Sequence, residues 1–273
     1  MAQQPAPSSP SSPSSLTLRI ASAAVMMPVV FGSAWLGGWF IAVLLAVVAG
    51  VMYWEWQGLC GEKGNVANGY ALLAATGPIA LQIFGDKQTL IGWAVATVAV
   101  FVLAKGSQRV FLTVGFAYIS LACTTVVWLR GLDPMGMETA IWLGALVVMT
   151  DTCAYFTGRT LGGPKLAPKI SPKKTWSGLI GGMAGAAVAG GVLAAVIDAN
   201  IVTVASVSGG LAIAAQIGDL AISMAKRAYD VKDSSNIIPG HGGALDRFDG
   251  VLSAAITIAL LSLAGGGSPL LWL

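Results

Sequence analysis

The run from Ile20 to Trp54 reads IASAAVMMPVVFGSAWLGGWFIAVLLAVVAGVMYW and contains no charged side chain over 35 residues. A helix that crosses a membrane needs about 20 consecutive apolar residues, so this run is long enough for two spans. Only Gly37-Gly38 marks a break within it. The run therefore predicts two helices that meet at the glycine pair, with one long tilted helix as the alternative.

The composition of the whole chain agrees with a membrane protein. Hydrophobic residues make up 56% and charged residues 10%, whereas about a quarter of the residues in a soluble domain are charged; the mean hydropathy is +0.78. The 35 glycines are scattered through the apolar runs, as suits membrane helices that pack closely. Barrel strands would instead alternate over about ten residues. We predict an all-α integral membrane protein.

Charged residues divide the apolar sequence into nine candidate spans, or eight if the first two form one helix. They lie near residues 20–35, 38–54, 66–85, 88–104, 110–129, 139–158, 177–197, 201–225 and 251–271. Lys and Arg favour cytoplasmic loops. If the N-terminus is cytoplasmic, only Lys87 and Arg130 of the 15 basic residues fall outside. The polar loops 159–176 and 226–250 then share the cytoplasmic side and can form one site.

The N-terminal sequence MAQQPAPSSPSSPSS is rich in proline and serine, a composition typical of disorder. We predict a disordered tail over residues 1–18 and a single polytopic membrane domain over residues 19–273. No repeat or soluble domain is visible, and the polar chemistry is concentrated between about residues 139 and 260.

The eighth span carries a polar face near its end. Asp219, Ser223, Lys226 and Asp230 fall three or four residues apart, which places them on one side of a helix. An ionised carboxylate at this depth needs a cation or a metal nearby. A metal or phosphate site is one interpretation, and a structural ion pair with a basic residue of another helix is the alternative.

Two more carboxylates, Asp246 and Asp249, open the ninth span, where the helix dipole favours negative charge. Capping accounts for one of them, but a pair together with Asp219 favours a hard cation such as Mg²⁺. The preceding turn, Pro239-Gly240-His241-Gly242-Gly243, could bring backbone amides close to a phosphate. For His241 we favour a role in fixing this loop, with a purely structural histidine as the alternative.

A second polar segment runs from Asp151 to Gly182. Asp151, Tyr155 and Arg159 share a helix face, and the segment 171–175 places two adjacent cations before the next span. Phosphate binding is the functional interpretation. Lysines at the cytoplasmic end of a helix also act as topology signals and anchors for anionic lipid, and this alternative is strongest for Lys165 and Lys169.

These residues resemble the phosphatidate cytidylyltransferase family, also called CDP-diacylglycerol synthase. The family signature S-x-x-K-R-x4-K-D-x-S-x2-I-P-x-H-G-G-x2-D-R-x-D is filled at every position from Ser223 to Asp249. A second block, D-x3-Y-x2-G-R followed by S-P-K-K-T-x2-G, is met from Asp151 to Gly178. The residue before Lys226 is Ala225, where we expect a larger aliphatic side chain.

The resemblance implies transfer of a cytidylyl group from CTP to phosphatidate, which gives CDP-diacylglycerol and diphosphate. It also implies Mg²⁺, a second ion such as K⁺, a homodimer and a place in the bacterial inner membrane. As metal ligands we expect Asp219 and Asp246 first, with Asp249 and Asp151 in support. Lys226 and Arg227 join Asp219 and Asp246 as expected catalytic residues. The expected substrate-binding residues are Lys173, Lys174, Thr175, Ser171, Ser223, Lys232, Asp233, His241, Gly242, Gly243, Arg247, Tyr155 and Arg159.

Two other functions compete with this interpretation. An ion-coupled transporter would also carry intramembrane acids, but a translocation path places polar residues through the midplane, and the outer halves of these spans are nearly free of charge. Another lipid-phosphate enzyme is the second rival, although the D-G-x2-A-R run of the CDP-alcohol phosphotransferases is absent from the sequence.

Overall fold

The chain folds as a bundle of long α-helices in a computed structural model that describes residues 15–62, 64–238 and 242–273. In those residues there are nine: α1 (Ser15–Leu36), α2 (Gly38–Leu59), α3 (Asn65–Phe84), α4 (Asp86–Leu103), α5 (Arg109–Arg130), α6 (Gly136–Thr160), α7 (Trp176–Val196), α8 (Ile201–Ala228) and α9 (Leu245–Gly265). The helices α2 to α9 are long and apolar enough to cross a membrane, and Ala24–Leu36 is a shorter apolar stretch of α1. The protein is a multi-pass, all-α membrane protein.

The predicted break at the glycine pair is confirmed, and the single long helix is excluded. Gly37 separates α1 from α2 with a φ of 66°, a left-handed value that glycine adopts without steric cost. The Arg130 side chain then binds the exposed end of α1, because Nε donates to the carbonyl of Ala34 at 2.6 Å and Nη2 to that of Trp35 at 3.0 Å. A basic side chain thus satisfies carbonyls that have no partner within the helix.

Several helix ends differ from the predicted spans, and α2, for example, runs to Leu59 instead of residue 54. α1 begins at Ser15, so residues 15–18 of the predicted tail are helical, while residues 1–14 lie outside the described part. α9 begins at Leu245 instead of 251, because the charged residues of its first turn are helical. It ends at Gly265 instead of 271, because Gly266 has a φ of 76° and ends the helix.

A short antiparallel hairpin connects α6 to α7 and was not predicted. Its strands are β1 (Lys165–Ala167) and β2 (Ser171–Thr175), and Lys165 pairs with Thr175. Thr175 also caps α7, because its Oγ1 accepts a hydrogen bond from the Gly178 amide at 3.1 Å. The hairpin thereby holds the lysines of β2 at a fixed place beside the start of α7.

Glycines bring α6 and α7 into direct contact, as their scatter through the apolar runs predicted. A Cβ on Gly182 would lie 2.9 Å from the carbonyl oxygen of Thr150, and one on Gly178 would lie 3.0 Å from that of Ala154. Helices can approach this closely only where the side chains are small. The buried apolar residues form two clusters, one mainly of α2, α3 and α5 and the other mainly of α6, α8 and α9.

Candidate active site

The acidic and basic residues of the two polar segments meet at one end of the bundle. Arg227, at the end of α8, donates from Nε to the carbonyl of Ile170 in the hairpin turn at 3.3 Å and from Nη1 to that of Val231 at 2.6 Å. The hairpin and the loop after α8 are therefore in contact. This contact is what a shared site requires, while the shared site itself and the side of the membrane that the loops face stay predictions.

A polar cavity of about 540 Å³ opens at this end. Its walls come from α6, the hairpin, α7 and α8, and they include many of the residues that the sequence singled out. The lining residues with polar or charged side chains are Asp151, Tyr155, Arg159, Lys165, Lys173, Lys174, Thr175, Gln216 and Asp219.

Lys174 is the centre of this cavity's hydrogen-bond network. Its ammonium lies 2.5 Å from Oδ2 of Asp219 and donates to Oε1 of Gln216 at 2.8 Å. The Gln216 amide in turn donates to Oδ1 of Asp151 at 3.4 Å, and the Ser223 hydroxyl donates to Oδ1 of Asp219 at 3.2 Å. The alternative of an ion pair at Asp219 is therefore realised, although its partner lies on β2 and not on a helix.

The second ion pair joins α8 to α9. Lys226 is only 8% exposed, and its ammonium lies 2.5 Å from Oδ1 of Asp246. The other oxygen of Asp246 accepts hydrogen bonds from the amide and the hydroxyl of Ser234, at 2.9 and 3.0 Å, and from the amide of Gly243 at 3.2 Å. One oxygen of Asp246 therefore binds α8, and the other holds the loop before α9.

Three carboxylates from three helices lie within electrostatic range of one another: Asp151 of α6, Asp219 of α8 and Asp249 of α9. Lys174, Lys226 and Arg247 supply positive charge to the same region. Within the described residues, no group of three acidic, histidine or cysteine side chains is arranged to hold a metal ion. The carboxylates supply hard oxygen ligands, and lysines pair with two of the four predicted acids.

Close packing of α8 and α9 sets the distance between two of these acids. Gly218, next to Asp219, faces α9 so closely that a Cβ there would lie 2.6 Å from the carbonyl oxygen of Asp249 and 2.1 Å from Oγ of Ser253. Asp249 accepts a hydrogen bond from the Gly250 amide at 2.8 Å. A glycine is therefore needed beside the acid of α8.

Several other predicted residues do not line the cavity. Lys232, Asp233 and Arg247 are exposed, and Ser171 begins β2. Gly242 and Ile238, on either side of the glycine-rich turn, exchange backbone hydrogen bonds. The prediction for His241 concerns a residue outside the described part of the chain. Thr175 does line the cavity, but it is only 4% exposed, and its hydroxyl bonds Gly178 and Ser177, so its contacts support a capping role.

The sequence interpretation missed two residues of the site. Gln216 joins Lys174 to Asp151, and Glu55 of α2 binds the loop before α9. Glu55 is the one charged residue of α2, and Gln216 lies three residues before Asp219 on α8. A buried ionisable residue at membrane depth is a functional candidate by itself, and this rule could have identified Glu55.

Comparisons with known proteins relate most of the chain to one family. A model described as the cytidylyltransferase family matches residues 17–264. A phosphatidate cytidylyltransferase of Brucella suis biovar 1 is 40% identical over 261 residues, which cover 92% of this chain and 94% of the relative. One from Pseudomonas aeruginosa is 35% identical over an alignment of 283 residues, covering 93% and 100%. One from Bacillus subtilis is 40% identical over 144 residues, covering 52% and 54%.

Proposed function

Because this chain belongs to the cytidylyltransferase family, we propose that the polar cavity beside Lys174 is where it transfers a cytidylyl group from CTP to phosphatidate. The chain is a nucleotidyltransferase, and the products of the transfer are CDP-diacylglycerol and diphosphate. We place the reaction in this cavity because Lys174 pairs with Asp219 there and further cations line its walls. Two anionic substrates can meet only where positive charge offsets their repulsion.

Four cations that line the cavity are suited to bind the phosphates. Arg159, Lys165 and Lys173 reach it from α6 and the hairpin, and Lys174 lies deepest among the acids. Tyr155 accepts a hydrogen bond from Nη1 of Arg159 at 2.6 Å, which holds the guanidinium at the wall. Arg227 binds two carbonyls, so we assign it to fixing the hairpin against the loop after α8.

The carboxylates at this end of the bundle are of the chemical kind that Mg²⁺ prefers, since it binds a few carboxylates together with substrate phosphate oxygens. We propose that Asp219 and Asp249 hold the ion with the support of Asp151. Asp246 was expected as a principal ligand, but its contacts favour a role in anchoring the loop before α9. When bound, the ion would neutralise negative charge on phosphate oxygens.

The chain's own residues have to orient two substrates, since no covalent intermediate with the enzyme is required. A phosphatidate oxygen attacks the α-phosphorus of CTP, and the bond to the departing diphosphate breaks in line with it. The attacking phosphate is ionised near neutral pH, so no base has to remove a proton. Lys174 and its neighbours stabilise charge on the attacking and leaving oxygens.

We place the hairpin and the loop after α8 on the cytoplasmic side of a bacterial inner membrane, where CTP is available, with the catalytic part at about residues 139–260 of one domain. The distribution of Lys and Arg supports this orientation. A homodimer, as the resemblance implies, is compatible with the small residues on the exposed helix faces.

Diphosphate release by the purified protein in detergent tests the function. We expect release only when CTP, phosphatidate and Mg²⁺ are present together; release without lipid would indicate a nucleotide hydrolase, and no release with any nucleotide would contradict the proposal. Asp219→Asn should lower turnover by about 100-fold or more. The matched control is Asp86→Asn, which changes an exposed acid at the start of α4 and should leave turnover unchanged.

A further inference from the structure

Glu55 is a buried carboxylate far along the chain from every predicted site residue. It lies in α2 and is 1% exposed. Oε1 accepts hydrogen bonds from the Ser235 hydroxyl at 2.5 Å and the Ala244 amide at 2.9 Å, and Oε2 from the Ser234 hydroxyl at 3.1 Å and the Leu245 amide at 2.7 Å. Four donor groups thus surround this carboxylate, and it shares one of them, the hydroxyl of Ser234, with Asp246.

These contacts supply α9 with a cap that its own sequence lacks. The N-cap residue of α9 is Ala244, which has no capping side chain, so the amides of Ala244 and Leu245 are bonded by Glu55 of another helix. A negative charge at a helix N-terminus is favourable. Gly243 leaves room for this arrangement, because a Cβ there would lie 2.7 Å from a Glu55 oxygen.

Ser234, one of the two serines that Glu55 binds, also contacts the proposed active site. Ser234 has one hydroxyl hydrogen, and its Oγ lies 3.1 Å from Glu55 and 3.0 Å from Asp246. Asp246 pairs with Lys226, and Asp249 lies one turn farther along α9. A displacement at Glu55 therefore moves the loop and the first turn of α9 together.

We propose that Glu55 is a positioning residue of the active site, which from α2 fixes the described loop residues 231–238 and 242–244 and so orients Asp246 and Asp249. The role in turnover depends on the function proposed above, but the contact itself can be measured without substrate. Glu55 does not line the cavity and does not touch the reacting atoms.

The first test is Glu55→Gln, which keeps the size of the side chain but turns an NH₂ group toward two donors. Because the amides of Ala244 and Leu245 lose hydrogen-bond strength, we expect their hydrogen exchange to become at least about tenfold faster, measured in a peptide that contains residues 244–245. We expect kcat to fall about 10- to 100-fold, with KM for CTP and for phosphatidate nearly unchanged. Glu62→Gln, at an exposed position after α2, is the control and should change neither quantity.

Ser234→Ala provides a second test if the first variant folds poorly. It removes the link between Glu55 and Asp246, and its effect on kcat should not add to that of Glu55→Gln in the double variant. Normal kcat in a folded Glu55→Gln protein would overturn the proposal, as would faster exchange spread over all helices or additive losses in the double variant. Failure of the proposed function is distinct, because it would appear as no turnover by the unaltered protein.

Discussion

Replacing Gly218 by alanine should separate α8 from α9 at the acids of the proposed site. The new Cβ would lie 2.6 Å from the carbonyl oxygen of Asp249, and an ordinary contact needs about 3.4 Å, so the helices must part locally by about 0.8 Å. Ser253 cannot absorb the change freely, since its hydroxyl donates to the Ala214 carbonyl at 2.8 Å. Overpacking of this kind costs about 1–3 kcal/mol.

The expected functional effect is larger than the effect on stability. Because Asp219 adjoins the substituted residue, the shift changes its distance to Asp249, and a displacement near 1 Å can cost about 100-fold in rate. We expect turnover of CTP and phosphatidate to fall about 10- to 100-fold, with a modest decrease in thermal stability in detergent. Gly210→Ala is the matched control, since a Cβ there, on the same helix, meets nothing within 4 Å. Wild-type turnover by folded Gly218→Ala, or an equal loss in the control, would refute the reasoning.

Two further predictions concern the basic residues. Lys174→Met removes the cation that pairs with Asp219; kcat/KM for CTP should fall about 100-fold or more, and retained activity would exclude this lysine from phosphate binding. Arg130→Met removes both hydrogen bonds to the end of α1; the melting temperature should fall by about 5 °C while turnover per folded molecule stays constant, and an unchanged melting temperature would show that this cap contributes little.

The helices could be predicted well because charge is excluded from lipid, so charged residues mark the ends of the spans. For α9 the apolar span alone begins only at residue 251, but the preference for acids in a first helical turn predicted that Asp246 and Asp249 open the helix. The structure confirms this, because α9 begins at Leu245.

The residues of the site were predicted in part. Local spacing placed Asp219 and Ser223 on one helix face, and the structure confirms that they are bonded. Spacing could not show which of two adjacent lysines points at Asp219, because that depends on the hairpin. It also could not find Glu55 or Gln216, whose partners lie far away in the sequence.

The contacts of Glu55 also determine when the loop before α9 can become ordered. The partners of this carboxylate are separated from it by 179 to 190 residues, so the chain closes a very long loop to form them, and such contacts form late in folding. During synthesis α2 leaves the ribosome long before α9, the last of the described helices. Glu55 therefore cannot form all four contacts until the rest of the bundle has been synthesised. A nascent chain that ends before residue 245 cannot complete the cap, because it lacks the Leu245 amide.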